Sequence, residues 1–211
     1  MLDTSQLAPA SALNGPTGRM CEFVASIELE DVPEHMKTNA KYLILDGIAC
    51  ALVGAQLPWS RTATNAILEM EGPGKCTVIG WSRRLSPLSA ALLNSTYIQG
   101  FELDDVDADA PWHANSVILP ALLTAAEHTS RGEQGPAKFD GSSFLLSTIV
   151  GFEIGSRVGH ALYGSEMLNR SWQSVCIVIA CVGTTFKDSI GRSIRSPGCR
   201  CRGLQAPWPF P

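Results

Sequence analysis

The sequence predicts a mainly α-helical domain, and three observations carry that prediction. Between Asp31 and Ala55, the residues Met36, Ala40, Leu43, Gly47, Ile48, Ala51 and Ala55 recur at steps of three and four, the period of one helix face. Ser86 followed by Pro87 reads as an N-cap and first helical residue, opening a segment that ends at Gly100. Between Ser142 and Gly164, Phe144, Thr148, Phe152 and Gly155 again fall at helical spacing, and Glu153 and Arg157 can pair at i, i+4.

Taken in order, residues 1–16 are small, polar and rich in proline and glycine, and are expected to form a loose leader. Gly18–Leu29 reads as a short amphipathic helix. The long helix that follows takes Asp31 as a candidate N-cap with Pro33 near its first turn. Tyr42, Leu45, Cys50 and Val53 make its second face apolar too, which predicts a helix buried nearly all round. Ser60–Glu71 is predicted helical. Gly72, Pro73 and Gly74 break the chain before Cys76–Trp81, a short extended piece. After the helix ending at Gly100 comes an acidic loop, then a helix over Asn115–Arg131 that tolerates or kinks at Pro120. Gly132–Gly141 is a loop before the last strong helix. Residues 17–186 are thus expected to form one helical domain. Residues 187–211 hold Lys187, Arg192, Arg195, Arg200 and Arg202 against Asp188 alone, with abundant proline and glycine, and are predicted to be a disordered tail.

Composition narrows the function classes. Hydrophobic residues at 45% and charged residues at 17% support a packed core. A net charge of −4 leaves no basic footprint for nucleic acid and no polybasic membrane patch. Leading residues without a charged-then-apolar signal pattern, and an apolar stretch broken by Asp46, give the expectation of a soluble, cytoplasmic protein without membrane partners. Cys21, Cys50 and Cys76 read as plain thiols in apolar settings. Cys199 and Cys201 form a C-x-C with no second pair at zinc spacing, so no metal is expected.

The chemistry concentrates in Phe101–Pro120, where Glu102, Asp104, Asp105, Asp107 and Asp109 precede Trp112 and His113. One reading is a solvated acidic loop. A calcium loop fails, because Ala110 and Ser116 stand where glycine and glutamate are required. A diphosphate-magnesium motif fails at Ala108. The remaining reading is an acid–base site. A histidine near carboxylates moves protons near neutrality, and Asn115 and Ser116 lie at the helix N-terminus, where backbone N–H groups favour an anion such as a substrate carboxylate. His35 in a polar turn, His128 at a helix end and His160 near Gly164 are weaker candidates, with His160 able to face a pocket.

Lys41–Ala55, the Val78–Trp81 piece, Gly100–Glu127 and Val150–Asn169 resemble the MmgE/PrpD family, which contains 2-methylcitrate dehydratases and cis-aconitate decarboxylases, with the closest likeness to the fungal decarboxylases. The resemblance runs from about Cys21 to about Trp172 and fades past Ser174. It implies a helical domain, usually homodimeric, working with a smaller α+β lid domain that this chain lacks, which makes it a truncated member and residues 17–186 a partial helical domain. It further implies small di- or tricarboxylate substrates and no metal or organic cofactor. The histidine of the family's H-x-x-S-V pattern falls on His113, and its acidic cluster falls on Glu102, Asp104 and Asp105. Two positions depart from the pattern: Asp107 and Gln173 stand where members carry histidines, and glutamine cannot act as an acid or base.

The expectation is therefore a carboxy-lyase acting on cis-aconitate or an alkylated analogue, in itaconate-like or alkylcitrate-derived secondary metabolism. His113 is expected to be the proton donor, with Asp104 and Asp105 orienting it or holding the active-site loop, and Glu102, Asn115 and Ser116 binding substrate. The alternatives are a 2-methylcitrate-type dehydratase and an inactive partner of a full-length paralogue.

Overall fold

A computed structural model describes residues 15–108, 110, 112–130 and 140–162. The leader apart from Gly15 and Pro16, Asp109, the loop 131–139, Gln173, Cys199, Cys201 and the tail 187–211 lie outside the described residues. Among the described residues there are six α-helices: α1 (Pro16–Ser26), α2 (Glu34–Gly54), α3 (Pro58–Met70), α4 (Pro87–Gln99), α5 (Ala114–Ser130) and α6 (Gly141–Leu162). They are joined by a 3-10 turn at Leu29–Asp31 and a two-stranded ribbon. The mainly helical fold is the one the sequence predicts, and the differences from it are local. Pro16 is the first residue of α1, not the end of a leader. Asp31 does not cap α2. Its carboxylate accepts the Glu28 N–H at 2.9 Å and closes the 3-10 turn, and Pro33 takes the cap position because α2 starts one residue later.

Helix α4 is the centre. Ala90, Leu93, Asn94, Tyr97 and Ile98 are buried between α2, α3 and α5. Ser86 caps it as predicted, its hydroxyl accepting the Ser89 N–H. Glu71 backs that cap, its carboxylate accepting bonds from the Ser86 N–H and the Ser86 and Ser89 hydroxyls; led by the Ser89 bond, these hold the Glu71 carboxyl below its usual value. The Tyr97 and Thr64 hydroxyls share a buried hydrogen bond that ties α4 to α3.

The extended piece at Cys76–Trp81 is shorter than its composition suggests. Only β1 (Cys76–Thr77) pairs, antiparallel to β2 (Arg84–Leu85), with Cys76 opposite Leu85. Beyond that point the side chain of Asn94 replaces the ladder. Its Oδ1 accepts the Ile79 N–H at 2.8 Å and its Nδ2 donates to the Thr77 carbonyl at 2.9 Å. Asn94→Leu strands both backbone groups in a buried setting, so it is expected to lower the unfolding free energy by about 2–4 kcal/mol, read by urea denaturation.

Helix α2 buries only one face, through Ala40, Gly47, Cys50, Ala51 and Gly54. The prediction of burial nearly all round does not hold among the described residues: Tyr42 is 66% exposed and Leu45 63%, with Leu52 and Val53 beside them. Apolar residues on both faces state what a helix tolerates, not what covers it. Among the described residues, no single helix is long and apolar enough to cross a membrane.

Candidate active site

The acidic segment is a loop from the end of α4 to the start of α5, as the sequence indicates. Its tip rests on α6. The Asp107 N–H donates to the Trp112 carbonyl at 3.2 Å, and Asp107 Oδ1 accepts the Ala110 N–H at 3.2 Å, so Asp107 is tied to both Ala110 and Trp112 directly before His113. The Ser156 hydroxyl of α6 donates to Asp107 Oδ2 at 2.6 Å, and His160 Nε2 lies 3.8 Å from Asp107 Oδ1. Trp112 is buried against α6 at Gly155, where a Cβ would fall 2.0 Å from the indole ring; one turn on, at Gly159, a Cβ would fall 2.6 Å from Ala110. Only glycine at both positions lets the loop lie this close.

This seating places His113 between two carboxylates. Its Nδ1 is 3.1 Å from Asp104 Oδ1, and its Nε2 is 3.4 Å from Glu102 Oε2. The two partners differ sharply in environment. The Asp104 side chain is 0% exposed, and Glu102 is 69% exposed. Burial pushes the Asp104 carboxyl above its usual value, opposed by the neighbouring His113. With Asp104 ionised, Nδ1–H donates inward to its carboxylate, which fixes the tautomer and leaves Nε2 as the working nitrogen on the open side.

Asp105 points the other way and caps α5. Its Oδ1 accepts the Asn115 N–H at 3.0 Å. The anion position that the sequence locates at this helix N-terminus is therefore filled by the chain's own carboxylate. Burial, helped by the Asp104 and Asp46 charges, outweighs the hydrogen bonding from Asn115 and lifts Asp105 to about 6. Because Asp105 holds its proton more tightly folded than unfolded, its contribution to stability is full below the ordinary value of 3.8 and is lost as pH rises through about 6. Asp105→Asn keeps an oxygen for the Asn115 N–H and cannot ionise. It is expected to melt with wild type at pH 4 and above it at pH 7.5, measured by thermal denaturation across that range.

Asn115 and Ser116 are both buried. Asn115 Nδ2 donates to the Leu43 carbonyl of α2 at 2.8 Å, and the Ser116 hydroxyl donates to the His113 carbonyl at 2.8 Å. The structure brings Glu102, Asp104 and His113 together. It places Asp105, Asn115 and Ser116 behind them, as the scaffold that holds the first turn of α5. His35 is exposed in the first turn of α2, and His128 is exposed at the end of α5; neither joins the cluster. Cys50 is buried. Burial first, then the Asp46, Asp104 and Asp105 charges, raise its thiol, which argues against a thiolate nucleophile beside the site. Among the described residues, no group of three or more histidines, cysteines and carboxylates is arranged to hold a metal ion. The sequence reading missed Ser156 as the loop's anchor. Its signal was the spacing of Gly151, Gly155 and Gly159, which marks a helix face built for close approach.

Residues 18–186 match the MmgE/PrpD N-terminal domain. The chain belongs to the MmgE/PrpD family. The match runs beyond Ser174, where the likeness read from individual motifs fades. Within this family, the chain is 45% identical over 169 residues to a cis-aconitate decarboxylase of Aspergillus terreus, covering 80% of this chain and 34% of that protein. It is 47% identical over 158 residues to the cis-aconitate decarboxylase-like protein oryM of Aspergillus oryzae, covering 75% and 33%. A human cis-aconitate decarboxylase is 26% identical over 149 residues, covering 70% and 30%. The chain thus spans about a third of the length of the curated relatives it matches.

Proposed function

We propose that the protein serves as a carboxy-lyase on cis-aconitate or an alkylated analogue, with His113 as the proton donor. One observation carries this reading: a histidine whose inner nitrogen is held by a fully buried carboxylate while its outer nitrogen meets only an exposed one. Decarboxylation breaks the bond to the departing carboxylate, and the electron pair stays conjugated with the alkene and a remaining carboxylate. A proton must then reach carbon. His113 Nε2–H supplies it, Asp104 stabilises the imidazolium beforehand and sets the ring, and solvent restores the proton. Asp105, Asn115 and Ser116 hold the turn that carries His113. The names of the family relatives support the substrate class. Dehydration of a 2-alkylcitrate would run the transfer the other way, the imidazole taking a proton from carbon as the hydroxyl leaves as water, so the product separates the two. Incubation with cis-aconitate, followed by NMR and carbon dioxide detection, is expected to show loss of one carbon and one new C–H bond. Addition of water with all carbons retained favours the dehydratase, and no turnover of cis-aconitate or of its 2-alkyl analogues rejects both.

The exposed α2 face supports a second reading, self-association or association with a longer paralogue. Leu45→Glu is expected to lower the mass seen by light scattering. An unchanged mass rejects the α2 face as the contact.

A further inference from the structure

We propose that Glu102 is a built-in stand-in for the substrate's carboxylate: it pairs with the outer nitrogen of His113 and is displaced when a carboxylate ligand arrives. The identity of the ligand rests on the function proposed above, whereas the contact itself does not.

Three features support this assignment. First, Glu102 lies on the nitrogen that a substrate would use. Asp104 holds Nδ1, and Glu102 Oε2 stands 3.4 Å from Nε2. A second carboxylate cannot take Nε2 while Glu102 is there, because the two negative charges would share one donor.

Second, the backbone is built to present it. Glu102 has φ +56°, in the left-handed region that a non-glycine residue adopts only at a cost. Its N–H bonds the Gln99 carbonyl at 3.0 Å, closing a turn at the end of α4, and Gln99 Nε2 donates to Glu102 Oε1 at 3.0 Å. One carboxylate oxygen is held by Gln99 and the other is turned to His113. Strain of this kind persists where surroundings impose it, and it clusters at ligand sites.

Third, the contact is easily broken. At 69% exposure Glu102 can swing into water with little loss, because an exposed ion pair is screened by solvent and contributes little. Asp104, at 0% exposure, cannot leave. The pair therefore divides the work into a fixed inner carboxylate and a replaceable outer one. The consequence is selectivity for charge. A carboxylate can replace Glu102 like for like, and a neutral ester of the same shape cannot.

The test uses the intact chain with Glu102→Ala and Glu102→Gln. Without ligand, the His113 ring signals in nitrogen-15 NMR are expected to move in Glu102→Ala; unchanged signals would show that no contact exists and overturn the proposal. With ligand, calorimetry of cis-aconitate is expected to show about two- to fivefold tighter binding to Glu102→Gln, the size of an exposed ion pair, and no such gain when His113 is also replaced by alanine. Weaker binding, or an equal gain with and without His113, overturns it. Acetate is the second probe. If acetate moves the His113 ring signals, and does so at lower concentration in Glu102→Gln, but cis-aconitate does not bind, the substrate proposal fails and the stand-in holds. If no carboxylate binds any of the proteins, the stand-in fails as well.

Discussion

Replacing Trp112 by alanine is expected to cost about 3–5 kcal/mol of unfolding free energy, and to release the acidic loop from α6 before the rest of the fold gives way. The indole is buried among Ala110, Ala114, Ile118 and Leu122, with Phe152 tilted against it at 6.4 Å between ring centres. It fills the space left at Gly155, so truncation opens a cavity that two helices and a loop must collapse to close. Asp107 holds the loop through the Ser156 hydroxyl, and one charge-assisted hydrogen bond contributes about 1.5–3 kcal/mol. Chemical denaturation gives the total loss. Hydrogen exchange at residues 104–107, compared with the core of α4, shows whether the loop opens first. The converse change, Gly155→Val, drives a side chain into the ring and is expected to produce the same loop release by overpacking.

The second large effect falls on turnover. His113→Ala is expected to lower the rate of carbon dioxide release from cis-aconitate by about 10²–10⁴-fold, the usual contribution of a positioned general acid. The fold is expected to survive, because His113 remains partly exposed and its backbone carbonyl, not its ring, holds the Ser116 hydroxyl. Asp104→Asn has a different signature. An amide can still bond Nδ1 but no longer stabilises an imidazolium, so the rate should fall while the affinity for substrate stays close to that of wild type. Equal turnover by wild type and His113→Ala would remove the histidine from the mechanism.

Much of this arrangement was legible in the residues, and what was not has a physical cause. The helical period of α2, the Ser86–Pro87 start of α4 and the Glu153–Arg157 pair depend on neighbours three or four residues apart, and each is found in the structure. The acidic loop was legible as a loop because Gly100 ends α4 and apolar periodicity resumes after His113. The exposure of Tyr42 and Leu45 was not legible, since a pattern of apolar residues does not say what lies opposite. Asn94 replacing a strand, Asp105 capping α5 and Ser156 gripping Asp107 join residues 10 to 49 positions apart, and short-range spacing does not encode such pairs. The left-handed backbone at Glu102 was also hidden, because glutamate carries no preference for it. The split between working and supporting carboxylates therefore emerges only from tertiary burial: Asp104 and Asp105 are adjacent in sequence, yet one meets the imidazole and the other meets a helix end.

The most direct test of the central claim is to titrate cis-aconitate into protein labelled with nitrogen-15 at histidine and to follow the imidazole signals by NMR. The account predicts a saturable shift at His113, led by Nε2, with His35 and His128 unmoved. A saturable shift at another histidine with His113 silent, or binding detected by calorimetry that leaves every His113 signal in place, would contradict it.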